Sequence, residues 1–148
     1  MNLIFNQATT GVDVVVSTLS QQGIFLQPNL ITAAAATGVK RFIPSEFSAN
    51  VEKAPWGTTP FWDVKLDARD QIKKTSMEYT FIETGPFMEY LFSPFIGVNI
   101  QEKSVVLFNE NTQVSTIHTD DIAKLVPEIL LNPKSKNGTV RIGTEVFK

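Results

Sequence analysis

Cysteine is absent from all 148 residues. That excludes a disulfide framework and thiol chemistry, and it fits a reducing compartment. An excess of one charge is missing too: 13 Lys and Arg against 15 Asp and Glu leave a net charge of -2. There is no basic run, so nothing argues for nucleic acid or an anionic membrane as partner. Zinc-type spacings, low-complexity tracts, internal repeats and a clear linker are also lacking. The apolar-rich stretches "VDVVVSTL" and "LITAAAATGV" are too short to cross a bilayer. The opening "MNLIFNQATTG" has neither the cationic leader nor the apolar run of a signal peptide. A cytoplasmic protein of one ordinary domain is the expectation.

What is present reads as alternating strands and helices. Val12 to Ser17 ("VDVVVS") is a β-branched run, expected as a strand buried on both faces. After Pro28, "NLITAAAATGV" predicts a helix that stops at Gly38. Arg41 to Ser45 ("RFIPS") predicts a second strand. The loop "EKAPWGTTP" leads into a helix over Phe61–Thr75, and "YTFIETGPF" (Tyr79–Phe87) predicts a third strand. Such alternation implies right-handed βαβ units around a parallel sheet. Further on, "SVVLFNENTQVSTIHTDD" suggests two strands around a polar turn at Asn109–Asn111. Thr119 or Asp120 is expected to cap a helix to about Leu131, with Pro127 kinking or shortening it. "GTVRIG" supplies a last strand. His118, the only histidine, is expected in a structural or surface role, and Asp120–Asp121 reads as a capping pair.

Ligands of open parallel sheets bind beyond the carboxyl ends of the strands. Those ends read Ser17-Thr18, Pro44-Ser45-Glu46-Phe47 and Thr84-Gly85-Pro86-Phe87. Each is ordinary turn chemistry; together they offer hydroxyls, amides and a flat ring to a cofactor. Lys65 is the other unusual residue. At about 100° per residue, the wheel places it between Phe61, Ile72 and Trp62, beside the Glu46–Phe47 tail. Either its charged form is disfavoured there, making it a proton donor or acceptor near neutral pH, or its ammonium snorkels out to water.

"VDVVVSTLS", "LITAAAATGVKRFIPSEFSAN", the Lys65 helix, "YTFIETGPFMEYLF" and "HTDDIAKLVPEILLNPKSKNGTVRI" occur in an order that resembles the NmrA-like branch of atypical short-chain dehydrogenases. Within it they are most similar to the isoflavone reductase and phenylcoumaran benzylic ether reductase type. The resemblance implies NADPH as cofactor and hydride transfer to a small, electron-poor aromatic substrate, with Lys65 moving the proton and the cofactor supplying the hard chemistry. By the same resemblance Ser17, Thr18 and Gln27 lie along the cofactor. Pro44, Ser45, Glu46 and Phe47 border the nicotinamide, and Gly85, Pro86 and Phe87 close over it. Tyr90 and Phe92, with Phe87 and Phe95, either wall an aromatic substrate pocket or pack in the core. The Tyr-x-x-x-Lys pair of ordinary short-chain dehydrogenases is absent, since Phe61 stands four residues before Lys65.

One family feature is missing. The family opens with a strand and a Gly-x-x-Gly-x-x-Gly turn that holds the pyrophosphate, and the 8 glycines here are scattered. The expected fold is therefore α/β: a partial Rossmann-like, doubly wound parallel sheet without the glycine-rich βαβ half. Residues 1–90 would be the later part of the dinucleotide-binding sheet, and residues 91–148 part of the substrate side. NADPH binding is expected to be weak, and the sheet to expose an edge where the first strands belong. Two other functions stand beside the reductase: a dinucleotide-sensing regulator with a protein partner, or an inactive reductase remnant. The sequence leaves a homo-oligomer open.

Overall fold

In the computed structural model, residues 3–53, 56–91, 93, 98–105, 114–143 and 145–147 are described. The elements run α1 (Leu3–Thr9), β1 (Val14–Val16), α2 (Gln27–Ala36), β2 (Arg41–Ile43), α3 (Pro60–Lys73), β3 (Glu78–Glu83), β4 (Val98–Asn99), β5 (Ser104–Val105), β6 (Val114–Thr116), α4 (Thr119–Leu131), β7 (Gly138–Arg141) and β8 (Glu145–Phe147). The main sheet has the order β1-β2-β3-β7. β1 pairs with β2, and β2 with β3, in parallel, Val14 opposite Arg41 and Arg41 opposite Glu78. The chain forms two compact units: Met1–Glu46, Asn50–Phe81 and Lys134–Val140 make the first, and Phe47–Ala49, Ile82–Pro133 and Arg141–Lys148 the second.

The first unit shows why these residues form these elements. Pro28 sits in the first turn of α2, where its missing N–H costs nothing. The helix ends as the sequence predicts: Val39 N donates to the Ala34 carbonyl (3.0 Å) and Gly38 N to that of Ala35 (3.4 Å). Gly38 closes this pattern at φ +82, a conformation that suits only glycine well. Thr59 caps α3 by accepting from Trp62 N at 3.1 Å, and Pro60 follows at the helix start. α3 ends at Lys73, two residues short of the expected Thr75. Ile31, Ala34, Val39, Phe42, Ala68, Ile72, Met77 and Phe81 make one core cluster. Of the Lys40–Arg41 pair only Lys40 is on the surface, 2.7 Å from Asp13. Arg41 is buried, donating to the hydroxyls of Thr80 (2.6 Å) and Ser135 (2.8 Å).

One expectation about this sheet is corrected. β1 is not buried on both faces: Val14 is 40% exposed and Val15 and Val16 are half-buried. The reason is its place at the sheet edge, where a strand has one neighbour instead of two. Continuous β-branching marks a strand without saying how many others flank it.

In the second unit the tail of β3 leaves the sheet at Glu83, four residues before the expected Phe87. Thr84 N and Gly85 N both turn to the Ser48 carbonyl, at 3.1 and 3.2 Å. Gly85 has φ +69, and a Cβ there would lie 2.1 Å from the Ser115 carbonyl oxygen. Gly85→Ala should therefore destabilise the protein by about 1–3 kcal/mol, as overpacking does; a melting temperature equal to the wild type's would refute this reading of the turn. His118, not Thr119 or Asp120, caps α4, its Nδ1 accepting from Asp120 N at 3.2 Å. α4 runs through Pro127 to Leu131, so the proline does not shorten it. β5 pairs with β4, and β6 with β8, both antiparallel. Both strands expected around Asn109–Asn111 are present as β5 and β6, and the turn itself lies outside the described residues. Among the described residues no helix is long and apolar enough to cross a membrane.

Candidate functional site

The carboxyl ends of β1 and β2 are tied together by the backbone, and a glutamine from α2 anchors the β2 end. Ser17 N continues the ladder past β1 by donating to the Ile43 carbonyl at 2.8 Å. Pro44, Ser45 and Glu46 follow β2 directly and are buried. Gln27, fully buried at the start of α2, accepts from Ser45 N through Oε1 at 2.6 Å. The Ser45 hydroxyl donates to the Leu19 carbonyl at 3.1 Å. A backbone N–H can only donate, so this bond fixes which end of the Gln27 amide is oxygen. Its Nε2 then points elsewhere, and neither it nor the buried Ser17 Oγ has a hydrogen-bond partner among the described residues. A buried polar atom left unmatched costs about 1–3 kcal/mol, which a bound polar ligand would recover. Thr18 is exposed.

Lys65 projects inward from α3. It is 3% exposed. Its ammonium donates to the Glu46 backbone carbonyl and lies 4.6 Å from the centroid of the Phe61 ring. The structure thus places the ammonium inside, not snorkelling. Burial pushes its pKa down to about 8; the Glu46 charge opposes the shift and the Arg69 charge adds to it. Arg69, one turn on, is a buried residue that the helical wheel did not single out. Its Nη2 is 2.7 Å from Glu46 Oε2. The available signal was its spacing, four residues from Lys65 on the same face.

Within the first unit, then, Ser17, Gln27, Ser45, Glu46 and Lys65 are linked through the ends of β1 and β2. The remaining candidates belong to the second unit. Phe47 is half-buried with φ +31. Gly85, Pro86 and Phe87 are half-buried after β3. Phe87 stacks on Tyr90 with ring centroids 5.8 Å apart, while Tyr90 is 45% exposed. Phe92 and Phe95 lie outside the described residues. His118, besides capping α4, has Nε2 3.7 Å from Glu89 Oε1, and Glu89 Oε1 also accepts from Thr119 N at 2.8 Å. Its setting is a helix terminus on the surface.

The family whose model matches, over residues 3–145, is the NmrA-like family. The chain belongs to it. Phenylcoumaran benzylic ether reductase PT1 of Pinus taeda is 29% identical over 141 residues, 90% of this chain and 46% of that protein. Pinoresinol reductase 1 of Arabidopsis thaliana is 31% identical over 144 residues, 88% of this chain and 45% of that protein. Among solved structures, AtPrR2 with NADP+ and (+)pinoresinol is similar with a TM-score of 0.77 at 27% identity, covering 95% of this chain and 49% of the other. The NmrA-like chain therefore has the α/β, Rossmann-type architecture of these reductases, and it spans about half the length of the curated relatives it matches.

Proposed function

We propose that this chain carries the nicotinamide-side part of an NADPH-dependent reductase of the isoflavone reductase-like type, acting on a small aromatic substrate, with Lys65 as the proton-transfer residue. The observation that carries the reading is the buried Lys65 ammonium at the carboxyl end of β2, with a pKa of about 8. Near neutral pH such an amine can lose and regain a proton within a catalytic cycle. Reduction consumes one proton, which the ammonium delivers and water restores. NADPH, when bound, supplies the hydride.

The residues present fit that cofactor. The unmatched Gln27 Nε2 can only donate and would meet an acceptor oxygen, whereas Ser17 Oγ can do either. Thr18, Pro44, Ser45, Glu46, Phe47, Gly85, Pro86 and Phe87 take the cofactor-bordering positions, and Tyr90 a substrate-facing one, on the family resemblance. No Gly-x-x-Gly-x-x-Gly turn occurs in the 148 residues, so weak binding is the expected result for these residues by themselves.

Calorimetry with NADPH tests the cofactor assignment. Gln27→Leu should weaken binding about 5–10-fold, the worth of one hydrogen bond. An unchanged Kd would remove Gln27 from the site, and no heat from the wild type at millimolar NADPH would favour the remnant. A substrate panel should start with pinoresinol and phenylcoumaran benzylic ethers, the compounds in the relatives' names.

A further inference from the structure

Lys65 and Arg69 stand four residues apart on α3 and face the same side. Both meet Glu46, but by different parts of it. The lysine ammonium donates to the Glu46 carbonyl. The arginine takes the carboxylate, Nη2 to Oε2 at 2.7 Å, with side-chain exposures of 1% and 0%. The guanidinium is held on two further sides: its Cζ sits 4.6 Å from the Phe81 ring centroid, and Nη1 is 3.0 Å from Oε1 of the half-exposed Glu52. A planar cation fixed in this way is a rigid anchor.

The anchor acts at a constrained turn. Glu46 N donates back to the Pro44 carbonyl at 2.8 Å, and the next residue, Phe47, has φ +31. A non-glycine residue enters that region only when its surroundings enforce it. From its buried face α3 holds this turn by the Glu46 carbonyl, through Lys65, and by the Glu46 side chain, through Arg69.

We propose that Arg69 is the positioning residue for Lys65: by gripping the Glu46 carboxylate it fixes the Glu46 carbonyl that receives and orients the lysine ammonium. Its consequence for catalysis rests on Lys65 being the proton-transfer residue, but the arrangement itself is testable without cofactor or substrate. Among the described residues, the charged groups that act on Lys65 include Glu46 from the β2 end and Arg69 from its own helix; Glu52 faces Arg69. Arg69→Gln removes the neighbouring cation and releases the Glu46 carboxylate towards the amine, and both effects favour the ammonium form.

The measurement is a pH titration of the Lys65 Cε and Nζ signals by NMR in the whole chain. The wild-type midpoint should lie at about 8. In Arg69→Gln it should move up towards the ordinary lysine value of 10.5. In Arg69→Lys, which keeps a cation at the carboxylate, it should stay near the wild-type value. An arginine serving only structure would lower the melting temperature of both variants and leave the titration where it was; that result overturns the proposal. If Arg69→Gln fails to fold, Glu46→Gln tests the same cluster in the opposite sense. Losing the anion should drop the midpoint below the wild-type value, and an unchanged midpoint overturns the proposal. Full activity in Lys65→Met would sink the proposed function and leave these midpoints untouched, so the two failures are distinguishable.

Discussion

Lys65→Met lowers NADPH-dependent turnover of any aromatic substrate that the wild type reduces by about 10²–10⁴-fold, the usual worth of a positioned acid or base. NADPH affinity changes little, because none of the proposed cofactor contacts comes from the amine. Methionine is the informative replacement. It fills nearly the same buried volume next to Phe61 without leaving a cavity, so the loss reports chemistry and not collapse. Lys65→Arg should be equally inactive although it keeps the charge, since a guanidinium does not release its proton at any working pH. Steady-state kinetics on the three proteins, with calorimetry to confirm cofactor binding, decides the matter. Turnover retained in the methionine variant would mean that the proton comes from elsewhere.

The second large effect is on stability and follows from the same buried amine. Its pKa is about 8 in the folded protein against an ordinary 10.5. Below pH 8 both folded and unfolded chains hold the proton, and the folded state bears the full cost of burying the charge. Between the two values the unfolded chain binds more protons, so stability rises with pH across that window. Above the upper value the cost is gone. At 1.36 kcal/mol per pKa unit, the wild type should gain about 3 kcal/mol relative to Lys65→Met between neutral pH and pH ~10.5. With the residue 3% exposed, solvent screening takes little from this figure. Urea unfolding of both proteins at several pH values gives the difference directly and cancels every other titrating group. A constant difference across the window would mean that the amine titrates as a lysine in water.

Much of the first unit was legible because its signals are local. Gly38 marks a helix end, the amphipathic run from Phe61 a helix, and the wheel position of Lys65 a cation on the core side; the structure has all three, with the helix starting one residue earlier, at Pro60. Arg69 was not legible because a charged residue near the end of an amphipathic helix is usually solvated, and the carboxylate that receives it inside is 23 residues away. β1 escaped in the opposite direction. Its sequence suits a central strand, yet burial is decided by neighbours that no stretch of six residues contains. The same limit explains β6: its pairing with β8 is a choice of a partner far along the chain. The site followed the same rule. Residue types at strand ends pointed to Ser17 and Ser45, but only three-dimensional packing shows Gln27 holding the Ser45 amide and leaving its own amide nitrogen unmatched.

The most direct test of the account is an NADPH titration of the isotope-labelled chain followed by NMR. The Ser17 amide, the Gln27 side-chain amide and the Lys65 Cε signals should shift together along one saturable curve. Shifts confined to the opposite end of the sheet, around Lys40 and Lys136, or no shifts at all as NADPH is raised to millimolar, would contradict it.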